Sequence, residues 1–124
     1  MPLYEKPLAD YAQEPLPLFD DGRLAELSEC FAAAELRALL EGITDEGGEC
    51  LSTIHAALAA DDLTTAQRAA HKLKGMASNL GAARLAHAAR GTEIAAQLSG
   101  DVHSTVRQLV DVFKATQEKV RLIA

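Results

Sequence analysis

The chain has no tryptophan, and only 4% of its 124 residues are aromatic. A β-sandwich or barrel of this length fills its pleated faces with aromatic and β-branched side chains, and that supply is missing. Alanine and leucine are abundant instead, which favours helices packed closely through small side chains. Cysteine is scarce: Cys30 and Cys50 form neither a CxxC pair nor a Cys/His ligand spacing, so they read as small core fillers in a reducing compartment. No run of about 18 apolar residues is present to span a bilayer, and no basic region followed by an apolar run opens the chain. A soluble, cytoplasmic protein that engages no membrane is the expectation. Basic charge is also short: the net charge is −6, and Lys72 and Lys74 are too few to make a basic face, which speaks against nucleic acid as a partner. There is no GxxxxGK[ST] loop for a nucleotide, so no autokinase activity is expected.

Proline is confined to positions 2, 7, 15 and 17. It forbids a continuous helix there, and residues 1–18 read as an extended arm, with Leu16, Leu18 and Phe19 as its candidate anchors. Residues 19–124 hold the helical pattern, enough for one compact domain. Asp20 or Asp21 caps a short helix carrying Leu24 and Leu27, with Phe31 packing near its end. A longer helix is predicted from about Ala33 to Ala60, with Leu36, Leu39, Leu40, Ile43, Cys50, Ile54, Ala57 and Leu58 at core spacing. Gly42, Gly47 and Gly48 weaken it by about 1 kcal/mol each relative to alanine, and a break near Gly47 is the alternative to continuity. Asp61 and Asp62 stop that helix and cap the next, Leu63 to Leu80, which ends at Gly81 where a left-handed residue is wanted. Ala82 to Leu98 follows, closed by Ser99-Gly100. Asp101 caps a last helix carrying Val102, Val106, Leu109, Val110, Phe113, Val120 and Ile123. Short connections force antiparallel neighbours. The predicted fold is all-α, an antiparallel up-and-down four-helix bundle with a short extra N-terminal helix.

His71 stands out within this pattern. At about 100° per residue, Ala66, Ala70, Leu73, Ala77 and Leu80 gather into one apolar stripe, and His71 points almost directly away from it. Gln67, Lys74, Gly75 and Ser78 share its exposed side, so the imidazole is flanked by a cation, a missing side chain and a small hydroxyl. Such a surface admits a phosphoryl group. A hairpin turning at Ala82 sets equidistant residues at one height, and position 93, a glutamate, is the counterpart of position 71. Glu93 there accepts the Nδ1 proton of His71, which fixes the tautomer and leaves the Nε2 lone pair facing outward. Gly75 opens space for an incoming group, Lys74 and Lys72 offset its charge, and Ser78 donates a hydrogen bond to it. Asn79 is expected to satisfy carbonyls at the helix end. His55, His87 and His103 lack partners at i+3 or i+4 and read as ordinary surface histidines. Arg84, Arg90, Arg107 and Arg121 read as solvated.

The segment Ala70-His71-Lys72-Leu73-Lys74-Gly75 through Ser78-Asn79-Leu80-Gly81 to Leu85 resembles the AHxLKGxxxxxGxxxL pattern of histidine phosphotransfer (HPt) domains, which carry phosphate between receiver aspartates in multistep two-component relays. The resemblance implies that His71 is phosphorylated, with Lys74 and Gly75 as its supporting pair and Glu93 bonded to its ring. It implies receiver domains of a hybrid histidine kinase and of response regulators as partners, with Gln67 and Arg68 among the docking residues and Leu24 and Leu27 either docking or buried. A carrier intermediate, not a turnover enzyme, needs no cofactor or metal in this chain; Mg²⁺ belongs to the receiver. A monomer is expected. Two other classes stand beside this reading: a helical module that sequesters a receiver or kinase without phosphotransfer, and a helical-bundle enzyme or metal carrier, for which paired carboxylate-histidine motifs are missing.

Overall fold

The computed structural model describes residues 16–98 and 100–123, and its order is five helices: α1 (Asp21–Cys30), α2 (Ala33–Ala59), α3 (Leu63–Asn79), α4 (Ala83–Gln97) and α5 (Val102–Ile123). Residues 1–15 of the expected arm lie outside the described residues. Each long helix packs antiparallel on the next, α2 closes on α5, and α1 rests against α2. The fold is therefore the expected bundle with its short leading helix.

Side-chain caps set the boundaries. Asp20 is the α1 N-cap, its Oδ1 accepting from the amides of Gly22 (2.8 Å) and Arg23 (3.2 Å). Glu35 reaches back to the Ala32 amide at 2.9 Å, half of a capping box, since alanine has no acceptor to return. Asp61, at φ 56°, makes the left-handed stop after α2, and Asp62 caps α3 through Thr65, amide at 3.1 Å and hydroxyl at 2.6 Å. Gly81, at φ 76°, ends α3 in the conformation that glycine adopts without cost. Asp101 accepts from the Ser104 amide at 3.1 Å and starts α5.

α2 runs unbroken through its three glycines, and one of them explains itself by packing. A Cβ on Gly47 would lie 2.5 Å from Cε1 of Phe113, so the glycine is the socket for that ring. Leu40, Ile43, Ile54, Leu73, Leu85 and Leu109 fill the centre. Leu51 belongs to the core as well, although its spacing did not single it out. The buried hydroxyls of Thr92 and Thr116 donate back to the carbonyls of Ala88 (3.3 Å) and Val112 (2.8 Å). Three expected core residues are exposed instead: Phe31 lies beyond the end of α1, Leu39 lines an open groove with Met76 and Leu80, and Ile123 ends the last helix. Of the two leucines of α1, Leu27 is buried and Leu24 is partly buried against the core.

The junction between the arm and the bundle is tighter than the prolines suggest. Phe19 is buried, and the backbone beside it is tied to the α3–α4 turn: the Asp20 amide donates to Gly81 O (2.7 Å) and the Arg84 amide to Pro17 O (3.2 Å). Arg84 Nε donates to Leu16 O at 2.7 Å, and Arg23 Nε to Asn79 O at 2.8 Å. Arg84 is thus half-buried and engaged, not a solvated face. The open carbonyl at the end of α3 is satisfied by Arg23, where the side chain of Asn79 was expected to serve.

Candidate functional site

Alanines are buried along both arms of the α3–α4 hairpin, Ala66, Ala70 and Ala77 on α3 and Ala82, Ala89 and Ala96 at the start of α4 and along it. Methyl groups let the two backbones approach closely, so a side chain as short as glutamate spans from one helix to a residue on the outer face of the other. Glu93 does so. The Nδ1–H of His71 donates to its Oε2 at 2.6 Å, and Lys74 Nζ donates to its Oε1 at 3.1 Å. Both carboxylate oxygens are engaged, at distances typical of charge-assisted hydrogen bonds.

Exposure grades outward across the three side chains. Glu93 is 15% exposed, Lys74 24% and His71 65%. The acid lies under the ring, and the ring lies in solvent. Burial pushes the Glu93 carboxyl upward, but hydrogen bonds from Lys74 and His71, with the charges of both, more than reverse this and hold it below the usual carboxylate value. A carboxylate only accepts, so the neutral imidazole carries its proton on Nδ1 and its lone pair on Nε2. The site presents an oriented nucleophilic nitrogen.

Gly75 lies one turn beyond His71, and a Cβ built there meets nothing within 4 Å. The chain's own packing does not demand a glycine at that position, and its absence of side chain leaves open surface beside the ring. Gln67 is half-buried one turn before His71, and Arg68 is exposed. The Asp62 carboxyl is held low first by the Thr65 hydroxyl, then by the Thr65 amide, with the charge of Arg68 a lesser contribution.

Lys72 is exposed next to His71 in the chain, and its charge opposes the upward push of burial on the Cys50 thiol of α2. Ser78 lies two turns along α3, about 10 Å up the axis, in an open cleft that it shares with Arg23, Glu26 and Ala86. Lys74 is at the site, but its ammonium is on the carboxylate. Helical spacing brings positions 71 and 74 to the α4-facing side of α3, and Glu93 stands between them. His55 and His103 line one cleft between α2 and α5 with Arg107, a proximity that spacing along either helix does not reveal. Among the described residues no group of three or more His, Cys, Asp or Glu side chains is arranged to hold a metal, and no helix is long and apolar enough to cross a membrane.

Fold and site together define a helical-bundle protein that displays one acid-paired histidine on the outside of a hairpin. No curated protein matches the chain. The family described as the Hpt domain matches residues 38–119, well over half of the sequence, and the chain belongs to that family of histidine phosphotransfer carriers of phosphorelays. The crystal structure of histidine-containing phosphotransfer protein B (HptB) from Pseudomonas aeruginosa PAO1 is similar, with a TM-score of 0.80 and 29% identity over 87% of this chain and 95% of that one.

Proposed function

We propose that His71 is the residue that carries phosphate, and that the pair His71–Glu93 is what makes it competent. The observation behind this is the 2.6 Å Nδ1–Oε2 hydrogen bond beneath a ring that is otherwise in solvent. A receiver domain of a hybrid kinase brings an acyl phosphate on its aspartate, with Mg²⁺ in the receiver's own site. The Nε2 lone pair attacks phosphorus in line, the Nε2–P bond forms, and the P–O bond to the aspartyl carboxylate breaks with its electron pair leaving on that oxygen. No proton leaves the imidazole. The ring becomes cationic at the moment of transfer, and Glu93, already on Nδ1, stabilises that charge without moving. The reverse step delivers the group to a response-regulator aspartate. Docking surrounds His71 on the α3–α4 rim, with Gly75 as clearance and Gln67 and Arg68 at the border of the contact. The protein works as a monomer in the cytoplasm.

The test is incubation with receiver domains preloaded with labelled acyl phosphate. Wild type is expected to acquire acid-labile, base-stable phosphate, and His71→Gln none. Phosphate on His71→Gln at the wild-type level would overturn the assignment. Signalling output left intact by His71→Gln would instead favour a module that sequesters a receiver or kinase.

A further inference from the structure

The bundle has a second face, which phosphotransfer through His71 does not use. α2 and α5 meet across the bundle from the α3–α4 hairpin, since each of them adjoins one helix of that hairpin and then the other. Between them, where α5 begins, lies an open cleft of about 530 Å³. His55 of α2 lines it together with His103 and Arg107, one turn apart on α5. Leu58 and Val110, half-buried against the core, supply its apolar surface. All three polar side chains are exposed, and among the described residues none of them has a hydrogen-bond or ion-pair partner. Arg23, Arg84 and Arg121, by contrast, each spend a guanidinium on an internal acceptor.

A neutral imidazole offers one N–H donor and a guanidinium a fork of them, and the group that accepts from several donors at once is a carboxylate. Asp111, one turn beyond Arg107, lines the same cleft and repels an anion at that end. The carboxylate therefore belongs among His55, His103 and Arg107, with an apolar neighbour against Leu58 and Val110. A net charge of −6 opposes polyanions at long range but leaves short-range pairing with a single carboxylate intact. We propose that this cleft is a docking site, separate from the phosphotransfer face, for a segment of a partner protein in which a glutamate or aspartate stands beside an apolar side chain. Because the cleft lies across the bundle from the α3–α4 hairpin, a partner seated there tethers the carrier and leaves the His71 ring open to a receiver.

The probe is a helical peptide, blocked at both ends, with leucine and glutamate one turn apart, and a twin with glutamine in place of glutamate; each is titrated into ¹⁵N-labelled protein. The acidic peptide is expected to shift amide signals of residues 55–59 and 103–111 with a Kd of about 0.1–1 mM, and the twin to bind at least about fivefold more weakly. Arg107→Gln is expected to weaken the acidic peptide about fivefold and the twin by less than about twofold, which separates loss of the cation from any loss of fold. Arg107→Lys is expected to stay within about threefold of wild type. Phosphate uptake from loaded receivers is expected to be unchanged in Arg107→Gln and with the peptide present. The binding arm stands whether or not His71 is the acceptor. No shift at the cleft, equal binding of the twins, indifference to Arg107→Gln, or uptake slowed by the peptide would each overturn the proposal. Cleft signals that move on dilution of the protein alone would give the place to a second copy of this chain and overturn it equally.

Discussion

Both oxygens of Glu93 are taken, and this decides how the site responds to acid. Burial alone would raise its carboxyl, but the hydrogen bonds from Lys74 and His71 and their charges bring it below the ordinary range. A carboxyl whose folded value is depressed stabilises the fold fully above its unfolded value of about 4.3 and loses that contribution as pH falls through the lower folded value. Wild type is therefore expected to be more stable than Glu93→Gln near neutrality, with the difference shrinking once pH drops below about 4, as read by urea unfolding at stepped pH. A difference that stays constant over that window would contradict the pairing. The acid was legible in the sequence because a hairpin has a simple ruler: residues equidistant from the turn at Ala82 share a level. The lysine was only half legible. Its position beside His71 is a matter of helical spacing, whereas the choice between phosphate and Glu93 is made by the side chain reaching inward, which spacing does not encode.

At the scale of the helix, the glycines of α2 look alike in sequence and differ in the structure. Gly48 meets nothing where a Cβ would stand, while at Gly47 that Cβ would collide with the Phe113 ring. Gly48→Ala is expected to raise stability by about 0.5–1 kcal/mol through helix propensity. Gly47→Ala is expected to lower it by about 1–3 kcal/mol through overpacking, unless Phe113 is trimmed to leucine at the same time. Chemical denaturation of the variants checks both signs. The turns were readable because each is written locally, as Asp61-Asp62, Gly81 and Asp101 beside the helices they bound. The role of Gly47 was not, since its partner lies on α5, far along the chain, and a glycine carries no mark of what fills the space it leaves. Leu39 and Phe31 were misplaced for a related reason: apolar spacing locates a stripe, but whether a neighbouring helix reaches far enough to cover its edge depends on the lengths and tilts of other elements.

For the molecule as a whole, directed hydrogen bonds fasten α1 and the segment before it to the bundle. Leu27 is the buried residue of α1; Arg23 fastens the helix to the Asn79 carbonyl at the end of α3, and Arg84, at the start of α4, fastens the preceding segment through the Leu16 carbonyl. Removing either guanidinium costs about 1 kcal/mol of local stability. Arg23→Ala and Arg84→Ala are expected to speed amide exchange across residues 16–30 while leaving α3 and α4 protected, measured by hydrogen exchange. Equal loss of protection throughout the bundle would show that α1 is part of one cooperative unit. Such clasps escape a sequence reading because their acceptors are backbone carbonyls, which every residue possesses. The alanine seam has a different kind of consequence. The gap between the two rods is gauged by the thinnest spacers available, so replacing buried Ala89 with valine would wedge the rods apart and draw the acid off the imidazole without altering either reacting partner. Chemistry at the surface is in this way calibrated from inside, by atoms that were left out.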